Sequence, residues 1–170
     1  MSDLILGSDL VLRQGALGAK CTIGRNGFKI DKREGDLATP IGRFLLRRVF
    51  YRPDRLAPPK TALPIQPVLP DDLWCDASDH PFYNQLTRKP FSASAEDMWR
   101  TDHVYDLVVV IGHNDDPVVP GLGSAIFIHL PHADGRPTAG CVALDRDHLL
   151  SMLANAGIGD ALVIKGPSDA

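Results

Sequence analysis

The sequence predicts a mainly β domain carrying two short α-helices. Three observations lead there. Apolar residues recur near period two in short runs separated by turn-formers. Fourteen prolines and fifteen glycines among 170 residues interrupt the chain too often for long helices. Helix signals are confined to two stretches, Ser94–Arg100 and the segment from Leu144 to Gly157.

The elements follow in order. LILGSDLVLRQG and AKCTIGRNGFKI read as strands, with Arg25-Asn26-Gly27 as a hairpin turn. KREGDLATPIG is a polar loop punctuated by Gly and Pro, and RFLLRRVFY is the next strand. Between Arg52 and Pro70 six prolines exclude helix and central strand, so an irregular surface excursion is expected. Residues 71–88 stay irregular, anchored by Trp74, Phe82 and Tyr83. Ser94, followed by acids, reads as the N-cap of a short helix. DLVVVIGHN is a β-branched run of the buried-strand type, and SAIFIHL is the strand after it. LDRDHLLSMLANAG is the best helix, with Asp145 as N-cap and Gly157 as its stop, and DALVIKG closes as a strand.

Composition sets the class. The chain is 44% hydrophobic and 23% charged with a mean hydropathy of -0.06, an ordinary globular balance that excludes a disordered chain or coiled coil. At this length one domain, residues 1–170, buries roughly 70% of its extended-chain surface. A net charge of -3 and a pI near 6.0 argue against nucleic acid or an anionic bilayer as partner. The longest apolar run, Leu107–Gly112, is too short to span a membrane. The first fifteen residues carry Asp3, no cation before Arg13, and an apolar stretch broken at Gly7, Ser8 and Asp9. They read as a strand and not as an export signal, so a cytoplasmic location is expected. Cys21, Cys75 and Cys141 are odd in number and form no C-x-x-C pair, a pattern of reduced thiols.

The stretch IFIHLPHADGRPTAGCVAL concentrates the chemistry. A nucleophilic cysteine needs a base, a stabilised thiolate and donors for an oxyanion. Gly140 allows a sharp turn with close backbone approach, Cys141 precedes a helix, and His129 lies in a strand that ends near the same loop. Spacing alone leaves Cys141 open between nucleophile and buried small hydrophobe. For Cys21 and Cys75 the buried reading is favoured. His132 with His129, Asp134 and Cys141 sketches a zinc site, but that site would consume the thiol and imidazole that catalysis needs. His113 and the following Asn114 read either as cleft residues or as structural and turn residues.

This segment resembles the active-site motif of the L,D-transpeptidase catalytic domain, the YkuD fold: a His at a strand end, a variable loop, then Ser/Thr-x-Gly-Cys before a helix. ATPIGRFLLRRVF also resembles the family's Thr-Pro-x-Gly-x-Phe hairpin, at Thr39, Pro40, Gly42 and Phe44. The likeness runs from about residue 10 to 166. It implies a mainly β domain of sandwiched, mixed sheets of the YkuD type, one helix directly following the cysteine, with Cys141 as nucleophile and His129 as base. It also implies that the Leu130 carbonyl orients the imidazole, and that Ala139, Gly140 and Cys141 offer N–H groups to an oxyanion. Thr138 completes the motif beside the substrate. The chain departs from many members at Ala139, where they carry His, and at Ala143, where they carry Arg or Asn.

The implied substrate is a peptidoglycan stem tetrapeptide or muropeptide, cleaved between diaminopimelate and D-Ala with no metal or organic cofactor. Arg52 and Arg55 are candidates to clamp its carboxylate, Glu96 to meet its amine, and His113 and Asn114 to line the cleft. Water as acceptor gives a carboxypeptidase suited to recycling soluble fragments. An amine acceptor gives an exported, crosslinking transpeptidase. The rivals are a cell-wall peptide binder without turnover and a zinc-stabilised module.

Overall fold

The computed structural model describes residues 2–167. Fourteen strands and one helix are assigned: β1 (Leu4–Leu6), β2 (Val11–Gln14), β3 (Leu17–Lys20), β4 (Phe28–Lys29), β5 (Thr39–Pro40), β6 (Gly42–Tyr51), β7 (Ile65–Pro67), β8 (Asp72–Cys75), β9 (Leu86–Arg88), β10 (Ala95–Asp97), β11 (Leu107–Ile111), β12 (Phe127–His129), β13 (Val142–Ala143), α1 (Arg146–Leu153) and β14 (Ala161–Ile164). The main sheet runs β13-β12-β11-β6-β14-β1-β2-β3, with β7 added to β6. A three-stranded sheet β10-β8-β9 and a two-stranded pair β4-β5 complete the β structure.

The centre of the sheet is apolar on both faces, which explains the unbroken LVVVI of β11. Leu107, Val109 and Ile111 pack into the larger core with Leu149, Met152 and Leu153 of α1. Val108 and Val110 point the other way, into a second core with Phe50, Trp74, Met98, Tyr105 and Phe127. A strand covered on both sides has no polar face to alternate. The same alternation continues through the neighbouring strands: Ile128 and Val142 join the α1 side, Phe127 and Cys141 the other.

β12 and β13 are parallel, with Ile128 opposite Val142 and His129 opposite Ala143. That register puts Cys141 beside Phe127 and turns it to the same sheet face as His129, two residues further along β12. The free edge of β13 is covered by residues 22–25. Thr22 exchanges two 2.9 Å bonds with Ala143, Thr138 N donates to Ile23 O at 3.0 Å, and Arg25 N donates to Thr138 O at 3.0 Å.

Several expectations need correction. Only one of the two helices forms. Residues 95–97 are β10, antiparallel to β8, because pairing Glu96 with Trp74 outweighs a local capping signal. The helix near Cys141 does not follow it directly; β13 intervenes, and α1 begins at Arg146 with Asp145 accepting from His148 N at 3.1 Å. It ends at Leu153, short of Gly157. Arg25–Gly27 does turn the chain, with Gly27 N donating to Gly24 O, but no hairpin results. Asn26 N donates to Leu37 O and Thr39 N to Gly27 O, so the chain is drawn to the 36–39 loop and β4 runs parallel to β5. The Pro-rich excursion contributes β7, a peripheral strand parallel to β6. Trp74 and Tyr83 are buried anchors, whereas Phe82 is 51% exposed. Among the described residues no helix is long and apolar enough to cross a membrane.

Candidate active site

Cys141 and His129 line one cavity of about 460 Å³, together with Glu34, Asp76, Glu96, Arg100, Tyr105, Thr138 and Ala139. Cys141 is held as a thiol. Its Sγ donates to Ala125 O at 3.1 Å and accepts from Phe127 N at 3.3 Å. Burial pushes the thiol up to about 12, and the Glu96 carboxylate pushes in the same direction. In this resting geometry the thiol is pinned to a backbone carbonyl and not to an imidazole.

His129 is fixed from the other side. Its Nδ1 lies 2.7 Å from Leu130 O. A carbonyl only accepts, so Nδ1 carries the proton and Nε2 keeps the free lone pair. The Tyr105 ring packs on the imidazole in an inclined, T-shaped arrangement, with centroids 5.4 Å apart. Burial lowers the imidazole to about 4 despite the Leu130 bond, so the ring is neutral near pH 7. A neutral imidazole with only Nε2 available is the protonation state of a general base.

The loop before Cys141 is built by hydroxyls. Thr138 Oγ1 donates to Cys141 O at 2.7 Å and accepts from Gly140 N at 3.1 Å. Thr39 Oγ1 donates to Gly140 O at 2.8 Å and accepts from Gly24 N at 2.8 Å. Gly140 has φ +138°, and a Cβ there would lie 2.8 Å from Ala38 O. Only glycine fits that backbone and that approach. The Gly140 N–H, one of three expected at an oxyanion, is therefore engaged by Thr138 in this state.

The other candidates divide. Glu96 lines the cavity, accepts from Tyr105 OH at 2.8 Å, and is raised above the usual carboxylate range by burial. Arg52 and Arg55 do not line it. Arg52 is buried, bonded to Asp54 through two 2.9 Å contacts and to Arg100 O, with its guanidinium 3.7 Å from the centroid of the Trp99 ring. Arg55 bonds Asp106 at 2.6 Å and the carbonyls of Asp102 and Thr101. Both tie the 52–55 turn to residues 99–106, so neither is free to clamp a carboxylate. His113 Nε2 donates to Leu122 O at 3.0 Å and lines a different cavity. Asn114 organises its own loop through Val119 and Gly123, at φ +49°.

The His132 ring lies 6.4 Å from that of His129, and among the described residues no group of three or more His, Cys, Asp or Glu is placed to hold a metal ion. Cys21 and Cys75 are buried in the fold away from the cavity lining.

Sequence reasoning missed Glu34, Asp76, Arg100 and Tyr105. Asp76 Oδ1 is buried without a partner, and Arg100 pairs with Asp102 while packing over Tyr105. These residues come from three segments far apart in the chain, the loop after β4, the end of β8 and the β10–β11 connection. Tyr105 alone carried a signal, as an aromatic two residues before the buried run of β11.

No curated protein matches the chain. Residues 9–164 match the family model of the L,D-transpeptidase catalytic domain (YkuD), nearly the whole of the chain, and the protein belongs to that family.

Proposed function

We propose that the protein is an L,D-carboxypeptidase, using L,D-transpeptidase-type chemistry on soluble stem tetrapeptides in the cytoplasm with water as acceptor. Its family comprises cysteine acyltransferases that act on peptidoglycan peptides. The observation that carries the reading is the shared cavity of Cys141 and His129, with Nδ1 committed to Leu130 so that only Nε2 is left to take a proton.

The thiol turns from Ala125 O, and Sγ attacks the diaminopimelate carbonyl while its proton passes to His129 Nε2. The tetrahedral intermediate collapses, the C–N bond to D-Ala breaks, and the imidazolium returns the proton to the leaving amine. A thioester on Cys141 remains. Water then attacks it, His129 takes the water's proton and returns it to Sγ, and the tripeptide leaves.

Three carboxylates in the cavity lining, Glu34, Asp76 and Glu96, suit a substrate with a free amine. The hydrolytic outcome is supported by supply: water stands at roughly 55 M, and an acceptor amine competes only if a site binds and orients it. Mass spectrometry of a purified tetrapeptide incubated with the protein tests the reading. Release of D-Ala and tripeptide is expected. Predominant crosslinked dimers, or fractionation to the cell envelope, favour the exported transpeptidase instead.

A further inference from the structure

A second cavity, of about 510 Å³, shares Ile126 with the first and includes Phe127, whose N–H reaches the Cys141 sulfur. β6 is irregular beside it. Val110 of β11 sits opposite Arg48, but Ile111 sits opposite Leu46, leaving Arg47 as an extra residue in the ladder. Neighbours on a regular strand point to opposite faces. A bulge re-aims one of them, and here both Arg47 and Arg48 line the cavity.

The two arginines differ in what they hold. Arg47 is satisfied by Asp115 through bonds of 2.8 and 3.0 Å. Arg48 is half-buried over the rings of Phe50 and Trp74, at 4.9 and 6.0 Å, and makes one long side-chain bond, 3.3 Å to Gln66 Oε1. A guanidinium has five N–H donors. The carboxylate that acts on it through space, Asp72, is already bonded to Arg88 at 3.1 Å and to Leu69 N at 2.8 Å. Burial accordingly lowers the Arg48 pKa from its ordinary value. A half-desolvated charge that lines a cavity with donors to spare gains from a partner that completes it.

We propose that this cavity binds an organic carboxylate, taken by the planar fork of Arg48 with its apolar body against Trp74, Leu86 and Phe127. Arg–carboxylate pairing is the geometry a guanidinium satisfies best. Trp74, Leu86 and Phe127 offer nothing to inorganic phosphate, and with Arg47 paired to Asp115 the lining leaves one cation, Arg48, to meet one negative charge. Asn84 connects the site to the nucleophile: its Oδ1 accepts from Trp74 Nε1 and from Ala125 N, both at 3.0 Å, and Ala125 O holds the Cys141 thiol.

The test is binding and does not require turnover, so it stands apart from the proposed reaction. The chain has two tryptophans, and Trp99→Phe leaves Trp74 as the only indole. That protein is titrated with N-acetyl-leucine, N-acetyl-leucinamide and inorganic phosphate while the Trp74 indole N–H resonance is followed. A saturable shift with the acid is expected, with a Kd of about 1 mM or tighter. The amide and phosphate are expected to bind at least about tenfold more weakly, and Arg48→Gln to weaken the acid by at least about tenfold, the scale of one lost charge-assisted bond. Arg48→Lys, which keeps the charge but not the fork, decides the matter if the Gln variant does not fold, with a loss of at least about threefold. Equal binding of acid and amide, phosphate as tight as the acid, no saturable shift, or an unchanged Kd in the folded Arg48 variant overturns the proposal.

Discussion

The Thr39 hydroxyl donates to the Gly140 carbonyl at 2.8 Å, joining positions 101 residues apart in the chain. Thr39 is fully buried and also accepts from Gly24 N, so one side chain ties the turn at residues 24–27 to the residue before the candidate nucleophile. The threonine of the Thr-Pro-x-Gly-x-Phe motif is thus a structural support for the Cys141 loop.

Thr39→Val removes the hydroxyl at nearly constant volume and leaves a buried N–H and a buried carbonyl without it. Stability is expected to fall by about 1–3 kcal/mol. D-Ala release should drop by more than the loss of folded protein explains, because the Cys141 loop loses its tether. Thr39→Ser, which retains the hydroxyl, should recover most of both. Equal behaviour of the two variants in denaturant titration and turnover would remove this role.

Cys141→Ala is expected to abolish turnover while preserving the fold. In the wild-type protein iodoacetamide should label Cys141 faster than Cys21, although burial pushes both thiols up to about 12. The difference is access: Cys141 borders a cavity and Cys21 belongs to the core. The Cys141 rate should climb steadily from pH 6 to 10, since only the thiolate reacts. A plateau near neutral pH, read by peptide mass spectrometry, would instead reveal a resting thiolate–imidazolium pair.

His129→Ala should slow acylation by about two to four orders of magnitude, the range of general-base catalysis. His132→Ala, at the half-exposed rim, should change it by less than about tenfold. Single-turnover measurement of the acyl-enzyme by intact mass separates the two. A larger effect at His132 would transfer the base to that residue.

The buried imidazole also makes stability pH-dependent. Its pKa falls from 6.5 to about 4 on folding, so the unfolded chain binds the proton more readily. Above about pH 6.5 both states are neutral and the full stability is present. As pH falls toward 4 the unfolded state gains the proton first, and stability is lost, on the order of 3 kcal/mol in total for such a shift. Urea denaturation at pH 7 and pH 5 should show a steeper loss in wild type than in His129→Gln. Parallel losses would place the titration elsewhere.

Legibility from sequence followed the range of the interactions. The β11 run, the Asp145 cap and the ends of α1 to within a few residues depend on neighbours in sequence, and they were readable. The family motif implied that His129 and Cys141 come together, and both line one cavity. The 95–97 segment was not readable, because its strand state comes from β8 twenty residues away. Arg52 and Arg55 looked like free surface cations, yet Arg52 is held by Asp54 and the Arg100 carbonyl, and Arg55 by Asp106 and the carbonyls of Thr101 and Asp102; apart from Asp54, no local window contains these partners. The acidic lining of the cavity has the same origin.

The position of β14 bears on how the chain folds at all. It lies between β6 and β1, antiparallel to one and parallel to the other, and those two strands do not pair with each other in the main sheet. A chain emerging from the ribosome makes β1–β3 first and the β6–β11–β12 half later, and until residues 161–164 appear the main sheet has no strand between β6 and β1. The facing edges of those two strands stay open until then, the state in which nascent β proteins associate wrongly. Cutting the chain before Ala161 does not trim an end; it removes the strand that makes one sheet of two, leaving the contacts of residues 22–25 with β13 and the shared core to hold the halves.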